Sequence, residues 1–294
     1  MEPTILTNWL SYPESGYLNV TDNTEQKLSH LVLGLSVTNI LGTMNRKIRK
    51  IVYDSRKVGP DSLFVAIPGG NMDGGAFIKD AITQGASAFI TQTPLDSLNE
   101  LGLGSRDVTA LYVENSRKAL SIVSANFYRS PSERLALTGI TGTNGKTTTS
   151  YILEALFRAE GIRTGVIGTI NYHYDDKNFS APVTTPESLD LNRMLDEMIE
   201  EKIENCFLEV SSHALHQSRV HDMRFKAGIF TNLSRDHLDF HGDMERYKNA
   251  KKKLFLENQV QHRIFNIDDT VGQEFSGEFK AGSFTTGIDS NADF

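Results

Sequence analysis

Short apolar runs and helical apolar stripes alternate along most of the chain. The runs that predict strands are Lys50–Tyr53, Leu63–Ile67, Ala88–Thr91, Ala110–Val113, Leu135–Leu137, Arg163–Ile170, Cys206–Val210, Ala227–Thr231 and Arg263–Ile267. Apolar residues three or four positions apart predict helices at Leu28–Leu35, Phe77–Gly85, Asn115–Tyr128, Tyr151–Phe157, Thr184–Ile199 and Asp243–Phe255. This alternation predicts an α/β protein whose mostly parallel sheet carries helices on both faces, a doubly wound fold.

Interruptions of the pattern predict two domains. Residues 1–26 are polar and aperiodic, which is typical of an extension. Residues 27–132 predict a small α/β domain, and the polar segment Arg129–Ser132 is expected to link it to a second domain at 133–294. Within that second domain, Asn171–Ser180 predicts a loop. Thr184-Thr185-Pro186-Glu187 predicts a helix start with a capping box.

The segment Thr138–Ser150, which reads T-G-I-T-G-T-N-G-K-T-T-T-S, follows an apolar run and precedes a predicted helix. A glycine-rich turn and a helix that opens on Lys-Thr-Thr are typical of a phosphate-binding loop, in which backbone N–H groups face the anion. The common spacing G-x-x-x-x-G-K-[ST] would need a glycine where the chain has Ile140. The segment is therefore a variant loop, and the competing interpretation is a glycine-rich corner with a chance Gly-Lys-Thr.

Composition narrows the class of protein. The 294 residues are 39% hydrophobic and 23% charged, as in globular domains, and the net charge of −7 argues against a general binder of nucleic acid or anionic membranes. A single cysteine, Cys206, excludes an intramolecular disulfide and fits a reducing compartment. With no basic n-region and no apolar run of membrane length, we expect a cytoplasmic protein.

Polar residues follow several predicted strands, and in a parallel sheet ligands bind beyond the carboxyl ends of the strands. Glu209 lies near the end of Cys206–Val210, with His213 shortly after, and His237 follows the strand that ends at Thr231. Taken singly, Glu209 could be an ordinary cap or ion-pair residue, and either histidine an ordinary loop residue. Together with the phosphate loop they favour a pocket for a triphosphate and Mg²⁺, which takes few protein ligands.

Two other kinds of site are disfavoured. A zinc site of four cysteine or histidine ligands fails because Cys206 lies inside a predicted strand, where it is expected to be a core residue. A serine-hydrolase site at Ser211-Ser212-His213 fails because the G-x-S-x-G turn is missing and adjacency in sequence does not make a triad.

The run Lys251-Lys252-Lys253 would ordinarily be a solvated helix face, and only one of the three lysines can point inward. Lys251 lies one turn after Tyr247 and one turn before Phe255, both on the apolar face, so it is the inward candidate. Burial would lower its pKa. The neutral amine could then react with CO₂ to form a carbamate, which would serve as a metal-bridging carboxylate.

Several segments together resemble the Mur ligases. They are Thr138–Thr149, Thr184-Thr185-Pro186, Leu208–Val220, Phe230–Gly242 and Ala250–Phe255 in the second domain, and Tyr53–Arg56, Leu63–Ala66 and Asp73-Gly74 in the first, which resembles that family's UDP-binding domain. The resemblance extends from about Lys27 to the end of the chain and includes the unusual glycine spacing of the phosphate loop.

The resemblance implies an ATP-dependent ligase that adds the third residue of the peptidoglycan stem peptide. The γ-phosphoryl group of ATP would pass to the side-chain carboxylate of D-Glu in UDP-MurNAc-L-Ala-D-Glu, and the amine of a diamino acid would then displace phosphate. We expect meso-diaminopimelate as the diamino acid, with L-lysine as the alternative. The expected partners are these small molecules, with no nucleic acid or membrane, and the expected protein is a monomer.

The resemblance also implies roles for residues at matching positions. ATP is expected at Gly142, Thr143, Asn144, Gly145, Lys146, Thr147, Thr148 and Asn266, with Lys146 on the β- and γ-phosphates and Asn266 near the adenine. Mg²⁺ is expected at Thr147, Glu209, His237 and Lys251, the last as its carbamate, and the catalytic set is Lys146, Glu209, His237 and Lys251. The UDP-sugar peptide is expected at Ser55, Asn71, Met72, Asp73, Thr184, Thr185, Ser211, Gln217 and Arg219.

The sequence departs from the family pattern in two respects. Val183 stands where some members carry an asparagine contact. The family's Asp-Asn-Pro-Arg motif does not occur, so we expect that the C-terminal amino-acid-binding domain is absent and that the ATP-binding domain is incomplete at its C-terminal end. Two alternatives stay open: a ligase of the folylpolyglutamate type, and an inactive chain that binds a nucleotide or a UDP-sugar.

Overall fold

The computed structural model describes residues 25–69, 73–101 and 107–294. The predicted extension up to residue 24, together with Asn71 and Met72, lies outside these ranges.

The first part of the chain forms a five-stranded sheet with helices against it. Its elements are β1 Gln26–Lys27, α1 Leu28–Leu31, β2 Asn39–Leu41, β3 Lys47–Ile48, β4 Lys50–Val52, β5 Ser62–Ala66, α2 Ile78–Thr83, β6 Ala86–Thr91, β7 Thr109–Tyr112, α3 Ser116–Phe127 and α4 Pro131–Arg134. The sheet has the order β2-β7-β6-β5-β4, with β2 antiparallel and the others parallel, and β1 pairs with β3 separately. Alternating strand residues pack on α1 and α3 on one face and on α2 on the other.

The second part forms an eight-stranded sheet. Its elements are β8 Ala136–Thr141, α5 Lys146–Ala159, β9 Thr164–Ile167, β10 Asn171–Tyr174, β11 Lys177–Ser180, α6 Ser188–Glu200, β12 Asn205–Glu209, α7 Ser212–His216, β13 Arg224–Phe230, α8 Leu238–His241, α9 Met244–Leu256, β14 Gln259–Asn266, α10 Thr270–Glu278 and β15 Ser283–Thr286.

The strand order of this sheet is β11-β10-β9-β12-β8-β13-β14-β15, in which β9, β12, β8, β13, β14 and β15 are parallel. The chain leaves β8 for β9 on one side and later continues with β13 on the other, so the carboxyl end of β8 is a topological switch point. Ile140 and Phe207 pack on α5 on one face, while Leu137 and Leu208 belong to the core under α6, α9 and α10 on the other. The predicted doubly wound α/β fold is confirmed.

Two local predictions were wrong. Asn171–Ser180 is the hairpin β10–β11, because Tyr172 and Tyr174 alternate into the core and are at most 1% exposed. The helix predicted from Thr184 begins at Ser188, capped by Glu187. Part of the expected linker Arg129–Ser132 belongs to the short helix α4, Pro131–Arg134.

The helix after the phosphate loop is also rotated from its predicted orientation. Leu153 and Phe157 pack against the sheet as expected, but Ile152 and Leu156 are more than half exposed. Glu154 is buried instead, because it pairs with His173 of β10. A periodic pattern cannot show which polar residue on a helix has a buried partner.

Arg117 of α3 and Tyr53, which follows β4, join the two sheets through contacts with the second part of the chain. Arg117 of α3 forms an ion pair with Glu187 at 2.9 Å and donates to the carbonyl of Pro68 at 2.7 Å. Tyr53 donates to Asp190 at 2.6 Å, where burial raises the pKa of that carboxyl group. These mostly buried contacts hold the carboxyl edge of the first sheet against the start of α6.

We expect Arg117→Met to lower the free energy of unfolding by roughly 2–3 kcal/mol, because it leaves the carboxylate of Glu187 buried without its closest cation. The Arg117 and Glu187 side chains are 16% and 11% exposed. Arg49→Met is the matched control, since Arg49 and Asp61 are 60% and 43% exposed, and it should cost less than about 1 kcal/mol. Urea unfolding measures both values, and equal losses would contradict the assignment.

Candidate functional site

The loop Gly142–Thr148 turns at the carboxyl end of β8 and leads directly into α5. Gly142 has φ +147° and Gly145 φ +86°, conformations that favour glycine. A Cβ on Gly142 would lie 1.9 Å from Thr231 Oγ1, so no other residue fits between β8 and β13. The N–H of Thr143 donates to the carbonyl of Asn232, and that of Asn144 to the Asn232 side chain, so the neighbouring strand end holds the loop.

Two lysines share one carbonyl beneath this loop. Lys146 donates to the carbonyl oxygens of Gly142 at 3.0 Å and Thr143 at 2.9 Å, and Lys251 of α9 donates to that of Gly142 at 2.7 Å. Lys251 is 1% exposed and lies 4.4 Å from the ring centre of Tyr247. Burial, with the charge of Lys146 as a smaller cause, lowers the pKa of Lys251 to about 6. The prediction that Lys251 points inward is therefore confirmed.

Glu209 ends β12 and is completely buried beside the first turn of α5. Its Oε2 accepts hydrogen bonds from the hydroxyl groups of Thr147 and Thr169, both at 2.9 Å, and its Oε1 accepts the N–H of Thr169 at 3.1 Å. Thr147 and Glu209 therefore present neighbouring oxygen atoms where a phosphate on the loop would end.

His237 lies on the other side of the loop and is less tightly held. It has φ +51°, its side chain is 48% exposed, and its ring contacts those of His213 and Tyr247 at centroid distances of 4.8 and 6.2 Å. The described residues contain no preformed metal cluster of three or more histidine, cysteine or carboxylate side chains. His237 and Glu209 thus flank the loop separately.

The donor set fits Mg²⁺ in part. Thr147 and Glu209 supply hard oxygen atoms 2.9 Å apart, which suits a cation that completes its coordination with phosphate oxygens and water. The amine of Lys251 would be a suitable ligand only after conversion to a carbamate.

The residues expected to hold the second substrate lie together around Thr185. Its hydroxyl donates to the carbonyl of Glu209 at 2.7 Å and accepts from the N–H of Ser211 at 3.1 Å, while Arg219 donates to its carbonyl at 2.7 Å. Arg219 also donates to Gln217 at 2.7 Å, and Thr184 contacts Thr169 through their hydroxyl groups at 3.1 Å. Five expected residues, Thr184, Thr185, Ser211, Gln217 and Arg219, thus pack next to the Glu209 strand end.

Ser55 and Asp73 lie at the carboxyl edge of the first sheet, after the neighbouring parallel strands β4 and β5. Asp73 accepts the N–H of Gly75 at 3.0 Å. Arg117 contacts both Pro68, in the same loop as Asp73, and Glu187, two residues after Thr185. This edge therefore faces the Thr185 group across the junction of the two sheets.

Asn266 ends β14, and its side chain donates to the carbonyl of Thr231 at 2.9 Å and accepts the N–H of Asp268 at 3.1 Å. The strand β13 therefore separates Asn266 from β8 and its loop. Asn144 and Thr148 are exposed on the loop itself.

The sequence does not predict the parts that Thr169 and Glu187 play in the site. The apolar run places Thr169 inside a predicted strand at Arg163–Ile170, whereas β9 ends at Ile167 and Thr169 follows it. The rule that identified Glu209, that sites lie just after parallel strands, would have found Thr169 had the strand end been placed correctly. Glu187 was assigned to helix capping alone, but it also joins Arg117 and Arg219.

We expect Lys251→Met to raise stability near pH 6.5, with an advantage that shrinks as the pH rises. Lys251 keeps the ordinary lysine pKa of 10.5 in the unfolded chain, but its pKa in the folded protein is about 6. Between pH 6 and pH 10.5, Lys251 is therefore protonated only in the unfolded chain. The stability of the wild type therefore rises with pH relative to that of the variant, by up to about 1.4 kcal/mol per pH unit. Gly142 keeps its hydrogen bond from Lys146 in the variant.

Urea unfolding of both proteins at pH 6.5, 7.5 and 8.5 measures this difference. Titratable groups that both proteins share contribute equally to the two free energies of unfolding, so their contributions cancel in the difference. A difference that does not vary with pH would show that Lys251 is charged in the folded protein.

The geometry of the loop and of its strand ends has counterparts in known proteins. The family model of the Mur ligase middle domain matches residues 140–294, and the model described as Mur ligase family, catalytic domain, matches residues 47–128. No helix among the described residues is long and apolar enough to cross a membrane.

Curated relatives match most of this chain. The UDP-N-acetylmuramoyl-L-alanyl-D-glutamate–2,6-diaminopimelate ligase of Alkaliphilus oremlandii is 42% identical over 269 residues, which is 90% of this chain and 53% of that protein. The ligase of the same name from Clostridioides difficile is 41% identical over 271 residues, 91% of this chain and 54% of that protein. The chain therefore spans about half the length of the curated relatives it matches.

A solved structure of a ligase with this name superimposes with a TM-score of 0.74 at 24% identity, covering 92% of this chain and 54% of that one, which shows the shared fold. Together with the two family models, which match both sheets, these findings show that the chain belongs to the Mur ligase family.

Proposed function

We propose that the protein binds ATP and UDP-MurNAc-L-Ala-D-Glu and belongs to an enzyme that joins a diamino acid, meso-diaminopimelate, to the D-Glu side chain. The observation that carries the proposal is the contact of Thr147 at the end of the phosphate loop with the buried carboxylate of Glu209, which adjoins the Thr185 group. The names of relatives about 40% identical support the choice of substrate.

The loop residues would bind the triphosphate. The free N–H groups in the first turn of α5 point beyond the N-terminus of the helix, and the helix dipole favours an anion there. The side chain of Lys146 donates to the carbonyl oxygens of Gly142 and Thr143, and we expect it to extend to the β- and γ-phosphates of bound ATP. Mg²⁺, bound by Thr147 and Glu209, would neutralise charge on the phosphates.

The side chains around Thr185 would hold the acceptor. Arg219 supplies a planar cation suited to a carboxylate or a phosphate, and Glu187 fixes its orientation from the other side at 3.6 Å. Ser55 and Asp73 would hold the UDP end at the edge of the first sheet. The acceptor carboxylate would then lie between the Thr185 group and the end of the phosphate loop.

The proposed reaction has two displacements. A D-Glu side-chain oxygen attacks the γ-phosphorus, and the bond to the β-phosphate oxygen breaks to release ADP. The amine then attacks the acyl carbon, loses a proton, and expels inorganic phosphate. The residues of this chain contribute mainly by positioning the groups and by compensating charge.

A folylpolyglutamate-type ligase is disfavoured, since a Mur ligase model matches residues 47–128 as well as the second part of the chain. An inactive chain that only binds a nucleotide or a UDP-sugar would have the same site. Only an active ligase would release phosphate, so that measurement distinguishes the two.

Calorimetry on the 294-residue chain tests the proposed ligands. We expect Mg·ADP and UDP-MurNAc-L-Ala-D-Glu to bind, and Lys146→Met to weaken nucleotide binding at least about tenfold while the UDP-sugar peptide binds as before. Lys226→Met, at an exposed position on β13, is the control and should change neither affinity. Absence of nucleotide binding to the wild type would refute the proposal, and phosphate release with added diamino acid would demonstrate turnover.

Carbamate formation at Lys251 is tested separately by ¹³C NMR with labelled bicarbonate at about pH 8, where the amine is neutral because its pKa is lowered to about 6. The neutral amine adds CO₂ and releases a proton. We expect a carbamate signal in the wild type and in Lys252→Met but none in Lys251→Met. A signal that persists in Lys251→Met would assign the carbamate elsewhere.

A further inference from the structure

Thr169 connects the two halves of the proposed site, although neither the sequence motifs nor the proposed reaction assigns it a role. Its N–H and its hydroxyl group both bind the carboxylate of Glu209, at 3.1 and 2.9 Å. The same hydroxyl lies 3.1 Å from that of Thr184, in the group expected to hold the acceptor. One exposed threonine thus contacts a candidate cation ligand and a candidate substrate residue.

The turn that carries Thr169 is shaped to meet Glu209. Gly168 donates its N–H to the carbonyl of Asn171 at 3.3 Å, which closes a turn between β9 and β10. A Cβ on Gly168 would lie 2.2 Å from Glu209 Oε1. Only glycine lets the turn come close enough for Thr169 to hold the carboxylate with two hydrogen bonds.

A partly buried polar network anchors this turn to the helix of the phosphate loop. Asn171 Oδ1 accepts from the hydroxyl of Tyr151 at 2.8 Å and lies 2.7 Å from His173 Nδ1. His173 Nε2 lies 2.9 Å from the buried carboxylate of Glu154. Tyr151 and Glu154 belong to α5, which also carries Thr147, so the turn and the phosphate loop are held to one helix.

Glu209 is held from two sides, by Thr147 and by Thr169. If Thr147 and Glu209 both bind Mg²⁺, the Thr147 oxygen gives a lone pair to the cation, so the position of its hydroxyl group depends on the cation as well as on Glu209. The two bonds from Thr169 to Glu209 involve only the carboxylate and do not depend on the cation. They therefore fix the carboxylate plane from the side of the turn after β9.

We propose that Thr169 is a positioning residue that holds the Glu209 carboxylate for a divalent cation on the bound nucleotide. The inference rests on the proposed function, because it concerns the cation that accompanies ATP. Its consequence is that loss of the Thr169 hydroxyl weakens nucleotide binding only when the divalent cation is present. A purely structural role would weaken binding equally with and without the cation.

The test is calorimetry of ADP binding to the full chain, in Mg²⁺ and in EDTA, with three variants. We expect Thr169→Val to lower affinity about tenfold in Mg²⁺ and less than about twofold in EDTA, because one charge-assisted hydrogen bond is lost. Thr169→Ser keeps the hydroxyl group and should bind like the wild type. Thr83→Val is the matched control and should have no effect, because the Thr83 hydroxyl donates to the carbonyl of Lys79 on the exposed face of α2.

Tyr151→Phe provides a second measurement should Thr169→Val fold poorly. It releases Asn171 from α5 without touching Glu209, so we expect a smaller loss with the same dependence on Mg²⁺. Two results would overturn the inference and leave the proposed function standing. One is an equal loss of ADP affinity in Mg²⁺ and in EDTA. The other is no loss of affinity in either variant while the wild type binds Mg·ADP. A wild type that binds no nucleotide would overturn both.

Discussion

The carbonyl oxygen of Gly142 accepts hydrogen bonds from Lys146 of the phosphate loop and from Lys251 of α9. Two ammonium groups at one acceptor would repel each other if both were charged, and the burial of Lys251 resolves this by lowering its pKa to about 6. The loop therefore lies on a neutral amine. This arrangement leaves the single charge of Lys146 available for an anion outside the loop and keeps a reactive amine directly beneath it.

The remaining parts of the site depend on where this loop lies. It turns at the switch point of the sheet, so the ends of β12 and β13 flank it and bring Glu209 and Asn232 to its two sides. Glu209 in turn organises the next group, since its side chain binds Thr169 and its carbonyl accepts the hydroxyl of Thr185. Arg117 then extends the arrangement to the first sheet through Glu187. Each of these contacts fixes a side chain farther from the sheet, so the geometry of the site depends on the whole fold.

Much of the fold was predictable, because alternating apolar runs and stripes reflect burial on a sheet or a helix face. The errors occurred where polar residues are buried. The sequence of the hairpin β10–β11 predicts a loop because the polar Asn171 and His173 alternate with its two buried tyrosines. The orientation of α5 depends on the pair Glu154–His173. Such residues carry no periodic signal, since their burial depends on a partner that is distant in sequence.

The sequence by itself determined the α/β class, the phosphate loop with its glycines at 142 and 145, the strand-end position of Glu209 and the inward position of Lys251. These follow from local rules: backbone sterics at glycine, strand length and helical period. Only the tertiary structure decided that Thr169 holds Glu209, that Glu187 lies between Arg117 and Arg219, and that Lys251 shares an acceptor with Lys146. These contacts join residues 30 to over 100 positions apart, and their formation depends on strand order and helix rotation, which the packing of the whole chain sets.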